Sequence, residues 1–497
     1  MNADDRPNFL LLCADQIQSY CLGCNGHPDV RTPNLDALAG RGVNFRRGYC
    51  NNPVCSPSRA TLATGLTPRQ HGLLTNGCKL PADVPTIAQA LVDAGYTTHA
   101  AGKLHLQPFS GGPASLEDIA SWNQRRITHL PENYYGFQTV DYVGGHVNYC
   151  FGQYRQWLEA EHPGVWEQYQ PAHADLRMGE AWRIGAPAEL HYNQWIADRA
   201  EAFLNHPRDA PFFLFCSFPD PHHPFAACRP YNQMYDPASL TLPPHWRDQT
   251  RFHPLPDGRR GGFWQPPEDE AAMREIMAQT YGMISHVDAC VGQVLQALER
   301  TGQADNTVVA FVGDHGEYLG AHNLLHKGPW PTEQVWRVPF IWADPRAEAS
   351  GAAVDAPVSL LDVVPTMSDL AGLEDGWHNR RGPQPPHVLE LPGRSLRPYL
   401  AGDANPQPQP VIMEFDEDWH EPGPVCRLRG LVDGDWKLVI YAGYTEGILI
   451  DLKNDPHELR NLWDQPAAQK RKTELLTILA QRLAASDRFD TYRHCGA

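Results

Sequence analysis

Residues Asn8-Phe9-Leu10-Leu11-Leu12-Cys13-Ala14 form an almost uninterrupted apolar run, the pattern of a central strand covered on both faces rather than an alternating, half-exposed one. The run stops at Asp15-Gln16. Two later runs end the same way: 211–218 leads into Asp220-Pro221-His222-His223-Pro224, and 307–312 into Gly313-Asp314-His315-Gly316-Glu317. Open α/β sheets bind ligands beyond the carboxyl ends of their strands, so Asp15, His222 and Asp314 are expected on one rim.

Between these runs, 85–94 predicts a helix with proline in its first turn, and 96–101 a short strand leading into Gly102-Lys103-Leu104-His105. An amphipathic helix is expected over 193–204. The longest helical pattern runs from 268 to 298, with Ile276, Tyr281, Ile284, Val287, Val291 and Leu295 on or near one stripe. Residues from about 107 to 187, rich in Trp, Tyr, Gly and Pro, read as an insertion over a sheet edge, and 235–267 as a proline-rich loop. A Pro- and Gly-rich shift over 372–410 separates a smaller unit. In it 411–415, 425–432, 436–441 and 447–452 predict antiparallel strands, followed by a helix from about 466 to 486. The expected class is α/β, with a domain 1–385 carrying the insertion and a smaller α+β unit 386–497.

The 497 residues carry 41 basic and 58 acidic side chains, net −17, which gives no general attraction to nucleic acid or anionic membranes. An anionic substrate therefore needs a local positive site. Twelve cysteines are too sparse for a disulfide scaffold; Cys21 and Cys24 form one isolated C-x2-C, read as ordinary thiols. The N-terminal stretch shows no secretory n- and h-region and no later segment approaches a membrane span, so the expectation is a reducing, cytoplasmic setting.

Cys55-Ser56-Pro57-Ser58-Arg59 precedes the small, apolar run Ala60 to Gly65, which reads as a buried helix. A nucleophile at Cys55 would meet an anion at a helix N-terminus. From the residues alone, a thiolate activated by that terminus and Arg59, and an inert buried thiol, both stay open. Asp15, Gln16, Asp314 and His315 offer two carboxylates, an amide oxygen and an imidazole, enough to hold one divalent cation with room for a substrate oxygen. Trp122, Tyr134, Tyr135, Tyr149, Tyr154 and Trp157 can line an aryl or sugar pocket or simply fill the core.

The pattern C-x-P-x-R over 55–59, with Gly102-Lys103-Leu104-His105, Pro221-His222-His223-Pro224 and His326-Lys327-Gly328, resembles the type I sulfatases of the alkaline phosphatase superfamily. The resemblance spans nearly the whole chain, including a terminal strand and turn at 447–459, but leaves 107–187 without motifs. It implies an alkaline-phosphatase-like sandwich with a large, mostly parallel sheet, and a sulfuric ester hydrolase acting on a small-molecule or saccharide sulfate ester. It also implies that Cys55 is the precursor of formylglycine (3-oxoalanine), made by a formylglycine-generating or anaerobic sulfatase-maturating enzyme. One hydroxyl of the hydrated aldehyde then attacks sulfur, and loss of a proton from the other expels sulfate.

Carried over residue by residue, Arg59, Lys103 and Lys327 hold developing charge, and His105 orients or deprotonates the diol. His222 touches the sulfate and can protonate the leaving oxygen, with His223 as its structural partner, or the two roles are exchanged. Asn76, in Leu73-Leu74-Thr75-Asn76-Gly77, either contacts the transferred group or serves an Asn-Gly turn. Gln16 and His315 depart from the commonest arylsulfatase metal set toward the phosphonate monoester hydrolases, whereas Lys103 and His105 point back to sulfate esters. Imidazole among the ligands sets Mn2+ beside Ca2+ as the candidate ion. A phosphonate or phosphodiester hydrolase and a catalytically silent anion-binding homologue are the competing readings. Cytoplasmic relatives suggest a homo-oligomer by analogy.

Overall fold

The structure, a computed structural model, describes residues 6–174, 177–178, 180–243, 245–247, 265–374, 377, 391–403, 406, 408–417 and 426–486. Nine strands form the central sheet, in the order Ala352–Val354, Val43–Phe45, Phe340–Ala343, Thr307–Gly313, Asn8–Ala14, Phe212–Phe218, Thr97–Gly102, Thr139–Gly144 and Phe151–Gly152. The five from Thr307–Gly313 to Thr139–Gly144 are mutually parallel. Phe340–Ala343 and Phe151–Gly152 add antiparallel neighbours on either side.

The Asn8–Ala14 strand shows why its sequence is continuously apolar. Leu10, Leu12 and Ala14 enter the core on one face, while Phe9, Leu11 and Cys13 enter a separate core on the other. Each fully buried Leu contributes about 1.5–3 kcal/mol, so a polar residue anywhere in the run would be costly. The first core is closed by helices Tyr192–Asn205 and Glu270–Arg300, which pack on each other.

Four antiparallel strands, Val411–Glu417, Cys426–Asp433, Trp436–Tyr441 and Ile448–Asp451, make the second sheet. Helix Gln469–Ser486 covers one face through Leu475 and Leu479. The other face buries Met413, Phe415 and Val439 against Tyr49, Val54 and Trp336 of the larger unit. This matches the expected architecture of a large, mostly parallel sheet with a small C-terminal antiparallel sheet and helix. The 385/386 boundary falls outside the described residues.

The second sheet also braces the approach to residue 55. Asn51 Nδ2 donates to Ile412 O at 2.7 Å, Asn52 Nδ2 to Glu414 O at 2.8 Å, and Glu414 N to Asn51 O at 2.9 Å. The turn before Cys55 is thus pinned to a strand more than 350 residues away in sequence.

Candidate active site

Cys55 opens the helix Cys55–Thr64, nearly all of it buried, and Gly65 at φ 70° ends it. The free N–H of Ser56 in its first turn is taken by Asn76 Oδ1 at 3.1 Å, so Asn76 serves the helix start. Asp15 and Asp314 follow paired parallel strands, and register brings Ala14 opposite Gly313. The side chains of Asp15, Cys55, Asp314 and His315 converge so that one ligand atom from each lies within 4.8 Å of the others.

The local chemistry fits a divalent cation. Asp314 Oδ1 accepts the backbone N–H groups of Gln16 (3.0 Å) and His315 (2.9 Å), and Oδ2 accepts Arg59 Nε at 2.8 Å, which locks the carboxylate in place. His315 Nδ1 lies 3.0 Å from Gly316 O and donates to it. That turns Nε2 toward Cys55 Sγ (3.2 Å), Asp15 Oδ1 (3.6 Å) and Asp314 Oδ1 (3.7 Å). Gln16, at φ 61°, turns its Oε1 to Lys327 Nζ (2.8 Å), and its amide nitrogen contacts Glu317 and His223 Nδ1.

Arg59 and Lys103 meet the two carboxylates, and Lys327 faces the thiol. Arg59 donates from Nη1 to Lys103 O and Ser217 Oγ, both at 2.8 Å, and its Nη2 lies 3.4 Å from Asp15 Oδ2. Lys103 Nζ contacts Asp15 Oδ2 directly and sits 2.6 Å from His146 Nε2. Lys327 Nζ reaches Cys55 Sγ (3.2 Å), Gln16 Oε1 and His222 Nε2 (2.7 Å). A chain of net charge −17 therefore carries a locally cationic pocket.

These charges set the protonation states. Burial and Asp15 oppose ionisation of the Cys55 thiol, but Lys103, Lys327 and His315 outweigh them and hold it below the usual range. Burial would also raise the Asp15 carboxyl, yet Lys103 and Arg59 hold it well below the usual carboxylate range. Burial, reinforced by neighbouring histidines and Lys327, keeps His222 and His223 well below the usual imidazole range; burial, Lys103 and Arg59 do the same for His105. His222 is neutral, donating from Nδ1 to His223 O and accepting from Lys327 at Nε2.

His105, at φ 56°, stacks flat on Phe109, and its Nδ1 is buried without a hydrogen-bond partner. Of the six aromatic candidates, Trp122, Tyr134 and Tyr154 are core residues, Tyr135 and Trp157 are half-buried, and Tyr149 is exposed. Cys21 is a buried free thiol against Gln18.

His146 was missed by sequence reasoning. Its ring stacks on His222 with centroids 3.5 Å apart, and its Nε2 lies 3.4 Å from Asp15 Oδ2. It follows the strand Thr139–Gly144, so the strand-end rule that found Asp15 and Asp314 applied here too; the surrounding insertion-like composition masked it. Ser217, near the end of the apolar strand Phe212–Phe218, left no signal that it would receive Arg59.

A family profile described as Sulfatase matches residues 7–373, and one described as N-sulphoglucosamine sulphohydrolase, C-terminal, matches 320–485. The uncharacterized sulfatase YidJ of Escherichia coli (strain K12) is 30% identical over 478 residues, covering 92% of this chain and 83% of that protein. An arylsulfatase of Clostridium perfringens is 28% identical, covering 96% and 94%. The crystal structure of the phosphonate monoester hydrolase of Agrobacterium radiobacter superposes with a TM-score of 0.79 at 27% identity, covering 96% of each chain. Together with the Asp15–Cys55–Asp314–His315 cluster, these matches show that the chain belongs to the sulfatase family, with a formylglycine- and metal-dependent type of hydrolytic site.

Proposed function

We propose that the protein hydrolyses sulfate monoesters of small aryl or saccharide alcohols, with Cys55 as the site of the nucleophile. The observation that carries the reading is Cys55 Sγ held 3.2 Å from both Lys327 Nζ and His315 Nε2 at the head of a buried helix. Oxidised to formylglycine, residue 55 supplies a hydrated aldehyde as nucleophile, and a divalent cation held by Asp15, Asp314, His315 and the Gln16 amide supplies charge neutralisation at the attacked group.

The chain's own residues do the rest. Lys103 and Arg59 hold the anionic oxygens from the Asp15 side. Lys327 is the proton donor on the leaving-group side, and the neutral His222, accepting from Lys327 at Nε2, orients its ammonium group. His105 receives or orients a proton through its open Nδ1. His223 and Glu317 fix the Gln16 amide. The largely buried ring of His146, stacked on His222, faces the organic part of the substrate.

One nitrogen donor among oxygens suits Mn2+ or Ca2+. Maturation by a formylglycine-generating or anaerobic sulfatase-maturating enzyme, a homo-oligomeric state and a cytoplasmic setting belong to the same reading, as does a division into a catalytic domain and a smaller C-terminal unit.

Parallel kcat/KM measurements on an aryl sulfate, a phosphonate monoester and a phosphate diester test it, with the aryl sulfate expected to be fastest. Higher kcat/KM on both phosphorus substrates would transfer the assignment to the phosphonate hydrolase branch, a reading favoured by the superposition on the Agrobacterium enzyme.

A further inference from the structure

The 107–187 stretch carries no catalytic motif, yet it delivers Glu117 into the interior beside the Lys103-Leu104-His105 turn. Glu117 is fully buried, in a turn just before the short helix Ile119–Asn123. Its Oε2 accepts His105 N (2.8 Å) and the Tyr142 hydroxyl (3.0 Å). Its Oε1 accepts Leu106 N (3.0 Å), Gln107 N (3.2 Å) and the Tyr134 hydroxyl (2.8 Å).

Three successive backbone N–H groups converging on one anion form a nest. The left-handed conformation of His105 is what turns them the same way, and a non-glycine residue held there needs support from its surroundings. No ion pair to Glu117 occurs among the described residues, so five neutral donors disperse its charge. On the far side of the same residue, the His105 ring lies on Phe109 with centroids 3.8 Å apart and planes 14° from parallel, and Nδ1 stays unpartnered. Backbone and ring face are both fixed, while the buried Nδ1 has no partner.

We propose that Glu117 is a positioning residue for the hydrolytic reaction, its carboxylate setting the His105 backbone so that the imidazole is held ready. The inference rests on the reading that His105 acts in the reaction. An amide at position 117 keeps the shape but turns an NH2 group toward N–H donors, so the turn must shift.

The test uses the full-length, metal-saturated enzyme, with rates normalised to the aldehyde content of residue 55. Glu117→Gln is expected to lower kcat about 10- to 100-fold, as displacements of an ångström do, with KM within about threefold of the parent. In a His105→Ala background, whose residual rate is read on an activated aryl sulfate over long incubations, Glu117→Gln is expected to change kcat by less than about threefold. Should Glu117→Gln fail to fold, Tyr142→Phe, which removes one donor, carries the same cycle with a smaller loss.

A parental kcat in Glu117→Gln, or an equal cost with and without His105, overturns the inference and leaves Glu117 a core residue. A parental kcat in His105→Ala overturns the role of His105 itself. A crippled His105→Ala beside a fully active Glu117→Gln sinks the positioning role alone.

Discussion

Asp314→Asn separates the structural from the metal-binding work of one carboxylate. Oδ1 accepts two backbone N–H groups and Oδ2 accepts Arg59 Nε at 2.8 Å. An amide can serve only one side: with its oxygen toward the backbone, its NH2 group meets the Arg59 N–H. Removing one partner from a buried ion pair costs about 3–5 kcal/mol. Asp15 Oδ2, 3.4 Å from Arg59 Nη2, remains as a countercharge, which places the cost near the lower end, about 3 kcal/mol.

A cation at a hundred times its Kd adds about 2.7 kcal/mol to the parent, and a variant lacking a charged ligand forfeits most of that. Denaturant unfolding in EDTA should therefore show a gap of about 3 kcal/mol, widening to about 6 kcal/mol at saturating Mn2+ or Ca2+. Calorimetric titration reads the metal affinity independently of activity. If the gap is the same with and without metal, Asp314 is not a ligand and the site has been misread.

Cys55→Ala should abolish turnover while leaving thermal unfolding close to the parent, because a small side chain is acceptable at the helix start; near-normal kinetics would remove Cys55 from the chemistry. Asp220, bonded to Asn193 Nδ2 at 2.8 Å and to the Tyr192 hydroxyl, has its carboxyl pushed up by burial to about 7. The folded chain thus binds more protons than the unfolded chain between the ordinary aspartate range and pH 7, so this group's contribution falls as pH rises through that window, by up to about 1.4 kcal/mol per pH unit. Asp220→Asn should flatten that part of the stability profile, since the free Oδ1 of Asn193 can accept from the new amide after a flip; an unchanged profile would show that another group titrates. Lys437, fully buried between Glu333 Oε1 (3.0 Å) and Glu458, joins the second sheet to the larger unit. Lys437→Met should cost about 3–5 kcal/mol in denaturant unfolding, and a loss below about 1 kcal/mol would mean the two acids find other partners.

The continuous apolar runs at 8–14, 211–218 and 307–312 declared buried parallel strands, because only two-sided cover tolerates such a pattern. Their polar ends therefore declared the rim on which Asp15, His222 and Asp314 stand. The short strands Val43–Phe45, Phe340–Ala343 and Ala352–Val354 went unseen: three or four residues leave no period to read, and pairing alone makes them strands. The Asn76 amide was legible only as an alternative between ligand and turn, and the first turn of the nucleophile helix supplied the partner that the local sequence did not name.

Composition, strand-length apolar runs and the C-x-P-x-R pentad were enough to point to the fold class and the family and to single out Cys55, because each is written in neighbouring residues. Which imidazole nitrogen is open, which lysine faces the thiol, that His146 stacks on His222, and that Glu117 grips the His105 turn are set by contacts between segments remote along the chain. Such contacts obey packing, charge and hydrogen-bond satisfaction in three dimensions, and no short stretch of sequence records them.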